Sequence, residues 1–504
     1  MHGDEAVHAV KFGELLDRGV YRYDPFEFHG PTLYYFTLPS VWLSGARNFA
    51  QTREPAYRFV PAVFGVGLVL LLWLVINGLG GAEAAWAGAL TAVSPAMVFY
   101  SRYYIQETLL VFFTFAVIAA GWRYARGKSL GWALAAGAGV GLMHATKETC
   151  VIAWVSMLGG LALGSAWSRW RDGAAWDFRS ALSWRHVAAA AAVAVLVSGL
   201  FFSSFLSNPK GALDSILAYV NYFRRSGGAG LHDHPWHFYL QMLIFARYGP
   251  GPWWSEGLIV LLAAAGLVAA LRRNGVPRSS ASFARFLVFY TVLMTILYSA
   301  IPYKTPWCML SFLHGMILLA GIGAAAILRR LPGRRLKIAA GALLAAGVAH
   351  LAAQAWRANF VYYADTRNPY VYAHPVNDVV RLAQRVEDIA RVDPQGRAML
   401  VRVITPDYWP LPWLLRRFSR VGYWPEIPEE PDAPVIITSP DLQPALDKRL
   451  RGAYHVEYFG LRPEVLLLAY VRTDLWGAFA QGLPQEADSR KTADQPAKHA
   501  ENPR

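Results

Sequence analysis

Two cysteines in 504 residues exclude a disulfide framework, and Cys150 and Cys308 cannot supply a four-ligand zinc cluster. Charge is also scarce: only 16% of residues are charged. Residues 357–476 carry no glycine-rich phosphate loop, so nothing marks that stretch as a nucleotide site. Internal repeats are absent from the pattern. The first residues lack the basic stretch and apolar run of a signal peptide. These absences argue against a disulfide scaffold and a zinc module.

What is abundant is apolar sequence, 55% of the chain. Ten stretches approach or exceed the roughly 20 residues that cross about 30 Å of hydrocarbon. They lie near 57–79, 84–99, 106–122, 130–146, 148–166, 187–206, 255–271, 284–301, 308–328 and 337–355. Continuous apolar runs, rather than amphipathic stripes, predict a polytopic α-helical membrane protein with about ten transmembrane helices.

Orientation follows from the basic residues. Alternate connections read RYARGK (123–128), WSRWRDGAAWDFRSALSWR (167–185), RRNGVPRSSASFAR (272–285) and RRLPGRRLK (329–337), and together hold sixteen Lys or Arg. The positive-inside rule makes this set cytoplasmic. Residues 1–56, the other connections and everything past 356 then face outward. The net charge of +14 largely reports loops at an anionic inner leaflet and requires no nucleic acid. An outer segment 1–56 with no span before it leads to the expectation of one further helix upstream of Met1.

Domain organisation reads as a transmembrane domain, 1–356, that opens with an outer loop 1–56. An outer soluble α/β domain follows at 357–480, then a disordered polar tail at 481–504. In the soluble part PVNDVVRLAQRVEDIARV (375–392) has helical spacing, while 398–405, 433–440, 454–460 and 465–472 read as strands.

Ionisable residues crowd the outer ends of the spans. Asp4, Glu5, Arg22, Asp24, Glu27 and His29 precede the first span, and residues 5–18 have the pattern of an interfacial amphipathic helix. YSRYYIQETLL brings Arg102 and Glu107, HATKET brings His144, Lys147 and Glu148, and PYKTPW brings Lys304. Membrane-edge charges are costly to bury and are therefore functional candidates. Locally, Asp4 also suits a helix N-cap. His232, Asp233, His234 and His237 are accounted for by a polar outer loop.

GDEAVHA, DPFEFHGPTLYYF and YSRYYIQETLLVFF resemble the first and second outer loops of GT-C glycosyltransferases that use polyprenyl-phosphate sugars. The branch is that of the protein O-mannosyltransferases and the lipid A aminoarabinose transferase. With YKTPW and WPLPWLLR added, the order of motifs is most similar to the flippase-activity-associated proteins. Two positions depart from the aminoarabinose transferase pattern: Val7 and Phe28 stand where that pattern has an Arg and a Lys for lipid phosphate.

The resemblance implies a membrane glycosyltransferase, in the inner or plasma membrane, with Asp4 as general base at the outer face. The donor would be a polyprenyl-phosphate sugar and the acceptor a lipid, glycan or protein hydroxyl. The chemistry suits these residue types: a carboxylate takes the acceptor proton, and cations hold the leaving phosphate. Glu5 would support the loop, and Glu27 would orient the acceptor or a divalent metal whose identity the sequence does not give. Arg102, Lys304 and Lys147 are the phosphate candidates. Glu107 supports the site or locks Arg102, His29 supports it, and Glu14→Gln on the interfacial helix should be tolerated. The competing assignments are a non-catalytic subunit for flipping lipid-linked sugars and an inactive scaffold.

Overall fold

A computed structural model describes residues 1–173, 182–225, 232–272, 276–277 and 280–482. The tail expected at 481–504 lies almost wholly outside the described residues. Contacts divide the chain into a helical unit, His8–Tyr372, and a second unit that joins Met1–Val7 to Ala373–Arg504.

The helical unit contains most of α1 (Gly3–Arg18), then α2 (Thr32–Leu43), α3 (Glu54–Leu79), α4 (Gly81–Val93), α5 (Pro95–Tyr100) and α6 (Glu107–Gly127). There follow α7 (Leu130–His144), α8 (Cys150–Asp172), α9 (Trp184–Phe202), α10 (Lys210–Arg225) and α11 (Phe238–Ile244). The unit ends with α12 (Gly257–Leu271), α13 (Ala281–Ala300), α14 (Leu310–Arg330) and α15 (Arg334–Trp356). Among the described residues seven helices are long and apolar enough to cross a membrane, and α7 and α12 are shorter apolar helices. The stretch expected as one span at 84–99 is broken. Ser94 ends α4, and its hydroxyl caps α5 while Pro95 occupies the first turn.

Small residues set the packing. Gly160 and Gly164 on α8 lie against the backbone of Tyr290 and Phe286 on α13, so an added Cβ would come within 2.9 and 3.2 Å. This is the small-xxx-small contact that lets apolar helices approach closely. α14 is central: every residue from Leu310 to Ala326 is buried.

The sequence places a domain boundary at 356–357, but the contacts place it after Tyr372. Side-chain bonds explain the shift. Arg102 donates to Asn359, the Tyr100 hydroxyl to the Tyr370 carbonyl at 2.8 Å, and Trp254 Nε1 to the Arg367 carbonyl at 2.8 Å. Residues 357–372 are thereby tied into the helical unit.

Two short strands, β1 (Ala246–Arg247) and β2 (Trp253–Trp254), pair in the helical unit. The second unit is a mixed sheet of β3 (Val401–Ile404), β4 (Val421–Trp424), β5 (Val435–Thr438), β6 (Tyr454–Arg462) and β7 (Val465–Arg472) in the order β4-β3-β5-β7-β6. The first three strands are parallel, and β7 and β6 are antiparallel. β5 is central and buried at all four positions. Val379, Leu382, Val386 and Ile389 of α16 (Asp378–Val392) recur at helical spacing and pack on Val401, Val403, Val435, Ile437 and Leu467. Edge strand β4 escapes the sequence reading, because VGYW contains a glycine and all four residues are only partly buried.

Candidate active site

Helix α1 starts at Gly3, so Asp4 stands in the first turn and is not the N-cap. Its amide donates to His2 Nδ1 at 3.0 Å, and its side chain is 48% exposed. Glu5 is fully buried and accepts the His2 backbone N–H at 2.9 Å, the return half of a capping box. The His2 ring packs 4.4 Å from that of His374. Of the opening acidic pair, Glu5 thus closes the helix end, while Asp4 is half exposed with its carboxylate 3.9 Å from the His2 ring.

In the helical unit a polar cluster forms where loop 19–31 meets the 145–149 turn. Gly30 lies against Ala145, whose carbonyl would stand 2.2 Å from an added Cβ. The Thr32 amide donates to that carbonyl at 3.1 Å, and the Thr32 hydroxyl donates to Thr146 Oγ1 at 2.8 Å. This clamp brings His29 Nδ1 to 2.8 Å from Glu148 Oε2 and the Tyr23 hydroxyl to 3.0 Å from Oε1. Burial pushes the Glu148 carboxyl up, but His29 and the hydrogen bonds outweigh it and hold the group below the ordinary value. The next residue back, Lys147, makes a buried ion pair with Glu107 at the start of α6.

Two further contacts extend the cluster. His8 on α1 shares a hydrogen bond of 2.8 Å with the Tyr34 hydroxyl, and Gln106 Nε2 lies 3.4 Å from the same ring nitrogen. Lys11, nearly buried, pairs with Glu14 at 3.0 Å, and its ammonium lies 4.7 Å from the Phe28 ring centroid. The structure therefore sets a cation beside Phe28. Sequence alone does not single out Lys11; its burial beside Phe28 is visible only in the structure.

The remaining sequence candidates separate. Glu27 is exposed in a turn that Asp24 fixes by accepting the Phe26 amide at 2.8 Å. Arg102 donates to the Asn359 carbonyl and side chain and lies 5.9 Å over Phe360. The expected Arg102–Glu107 lock is not formed. Residues 101–106 are irregular, so a five-residue spacing does not bring the two together, and Glu107 takes Lys147 instead. Lys304 is buried and donates to the His234 carbonyl at 2.9 Å and to that of Ile301. Burial lowers its pKa. It holds the 232–234 segment to PYKTPW, alongside the Lys304 amide to His232 carbonyl bond of 2.9 Å. Glu148 enters the cluster from among the membrane-edge charges without an assigned role, and Tyr23, His8 and Lys11 enter it without having been singled out at all. Among the described residues no three His, Cys, Asp or Glu side chains gather as a metal site.

ArnT from Cupriavidus metallidurans, solved bound to undecaprenyl phosphate, matches this structure with a TM-score of 0.62 at 16% identity, over 93% of this chain and 94% of that one. The fold is ArnT-like. The apo form of ArnT gives 0.61 over 92% and 93% of the two chains at 16% identity. The ArnT-like fold extends at a TM-score of 0.55 and 11% identity to an oligosaccharyltransferase of Archaeoglobus fulgidus, solved tethered with an acceptor peptide. That match covers 91% of this chain and 70% of the other. The dolichyl-phosphate-mannose-protein mannosyltransferase (PMT) family matches residues 32–207. That range includes Arg102, Glu107, Lys147 and Glu148, and ends before Lys304. No curated protein matches the sequence. These likenesses support a multi-pass membrane protein with an ArnT-like fold.

Proposed function

We propose that this protein is a membrane glycosyltransferase that moves a sugar from a polyprenyl-phosphate donor to an acceptor hydroxyl at the outer membrane face. The observation that carries this reading is the ArnT-like fold over more than nine-tenths of the chain, in a likeness that includes the form bound to undecaprenyl phosphate. The PMT match supports the same donor class.

In this reading Asp4 takes the acceptor proton while the acceptor oxygen bonds the anomeric carbon. The bond from that carbon to the phosphate oxygen breaks, and its electron pair stays on the phosphate. The transition state is oxocarbenium-like, which nearby carboxylates stabilise. Glu27 is the second acid and orients the acceptor. Glu5 closes the helix end, which fixes the segment bearing Asp4. Lys147, paired with Glu107, and Lys11, beside Phe28, are the cations assigned to the phosphate, while Arg102 and Lys304 bind backbone carbonyls. Glu107 and His29 support the cluster through Lys147 and Glu148. The resemblance to flippase-activity-associated proteins sets the alternative, a non-catalytic subunit of lipid-linked sugar flipping.

The test uses purified protein in liposomes with radiolabelled polyprenyl-phosphate hexoses and extracted lipid, glycan and protein acceptors. Release of polyprenyl phosphate with label on an acceptor is expected, and Asp4→Asn should abolish it. Donor translocation across the bilayer without release would overturn transfer in favour of the flipping role.

A further inference from the structure

Helix α10 exposes the side that a soluble helix would bury. Asp214, Ser215 and Ala218 are buried, whereas Leu213, Ile216, Leu217 and Val220 are 66, 64, 53 and 48% exposed. Those four recur at i, i+3, i+4 and i+7, a single stripe. The stripe continues into Phe205 and Leu206, 52 and 72% exposed, in the reversal that follows α9. Three successive residues there, Ser204, Phe205 and Leu206, have left-handed φ of 51, 52 and 73° and turn the chain sharply. α9 is itself of membrane length, and of its residues Phe202 is buried. The exposed stripe is therefore continuous with the apolar surface of a helix long enough to cross a membrane. Lys210 opens the helix with a side chain 81% exposed, as suits an anionic headgroup region.

The packed side of α10 reaches the candidate active site. Asn221 Nδ2 donates to the Pro25 carbonyl at 3.4 Å, in the turn that presents Glu27. The Tyr219 ring stacks on His144 at 5.9 Å and 11°, and its hydroxyl lies 3.6 Å from Cys150 Sγ. Pro25 lies in the 19–31 loop, and His144 and Cys150 flank the 145–149 turn.

We propose that α10 lies along the bilayer surface, its Leu213–Val220 stripe seated at the headgroup–acyl boundary, and that it guides a lipid-chained donor to the cluster. The guiding role rests on the glycosyltransferase reading; the seating does not. An amphipathic helix of this kind lies in the interface with its apolar face several ångströms deep.

The seating is tested by nitroxide labels on the full chain in phosphatidylglycerol–phosphatidylethanolamine liposomes, in a Cys308→Ala background. Labels are placed at Leu213→Cys, Leu217→Cys, Lys210→Cys and Glu429→Cys. Power saturation should show the first two more accessible to oxygen than to a nickel chelate, and the last two the reverse. Nickel accessibility at Leu217 equal to that at Glu429 would overturn the proposal. So would low accessibility to both reagents with dipolar broadening, which signals a second copy on the stripe.

The guiding role is tested with Leu213→Ser, Ile216→Ser and Leu217→Ser combined. KM for a long-chain donor should rise at least about tenfold while KM for a water-soluble short-chain analogue stays unchanged. Equal effects on both donors would overturn guidance. Absence of transfer by the unsubstituted protein would overturn the glycosyltransferase reading, and guidance with it, and leave the label depths to decide the seating.

Discussion

Asp4 and Glu5 are neighbours with different work. Glu5 is buried and accepts the His2 amide, so Glu5→Gln should weaken the cap and lower thermal stability by about 1 kcal/mol. Asp4 is half exposed, and Asp4→Asn should leave the melting temperature nearly unchanged. If it is the base, transfer should fall at least about a hundredfold, since general-base catalysis supplies on the order of 10²–10⁴. Transfer assays and thermal unfolding on the same preparation separate the two effects; near-normal turnover by Asp4→Asn would sink the assignment. Glu14→Gln, which the sequence reading expects to be harmless, should reduce stability and donor affinity, because Glu14 is the partner of nearly buried Lys11.

Glu148 gives the pH dependence its sign. Its folded pKa lies below the ordinary 4.5, so folding favours the ionised form. The contribution is fully present above about 4.5 and is lost as pH falls from there through the lower folded value. Glu148→Gln should therefore flatten the acid limb of the stability profile, measured as melting temperature from pH 6 to pH 3. An unchanged acid limb would show that the His29 and Tyr23 bonds contribute nothing.

At the scale of elements, close backbone approach decides the arrangement. Gly30 admits the 19–31 loop to the Ala145 carbonyl, and no side chain can fit the 2.2 Å available. Gly30→Ala should separate loop from turn and cost about 1–3 kcal/mol, as overpacking does. Increased proteolysis of loop 19–31 is the expected readout. Gly160→Leu should likewise part α8 from α13, with a lower detergent-solution melting temperature. In the sheet, Asp432 accepts the Arg451 and Gly452 amides and the Tyr454 hydroxyl at 3.0–3.3 Å. Burial raises its pKa, but these bonds outweigh it and hold the carboxyl below its usual value. Asp432→Ala should destabilise the α/β unit by about 1–3 kcal/mol, seen by hydrogen exchange in β6.

At the scale of the whole molecule the basic loops set direction. If the sixteen Lys and Arg of alternate connections face the cytoplasm, the Ala373–Arg504 unit is outside. A cysteine at Glu429, exposed on that unit, should react with an impermeant maleimide in intact cells. Reaction only after permeabilisation would reverse the topology and, with it, the outer-face location proposed for transfer.

The sequence by itself determined the helical membrane class and most of the apolar helices, though not the break at Ser94, because hydrocarbon demands long apolar runs whose backbone bonds are internal. It likewise determined α16 and the segments of β3, β5, β6 and β7, where burial on one or both faces writes a period into the chain. It also brought the outer-loop acids and bases into view, since charge beside a membrane is conspicuous. Tertiary structure alone decided which of those charges meet. Lys147 reaches Glu107 across 40 positions and His29 reaches Glu148 across 119, pairings set by loop closure rather than by local spacing. It alone showed that Arg102 and Lys304 bind backbone carbonyls and that Lys11 is enclosed beside Phe28. Residue type fixes what a charge can do; the partner it does it with depends on which distant segment the fold sets beside it.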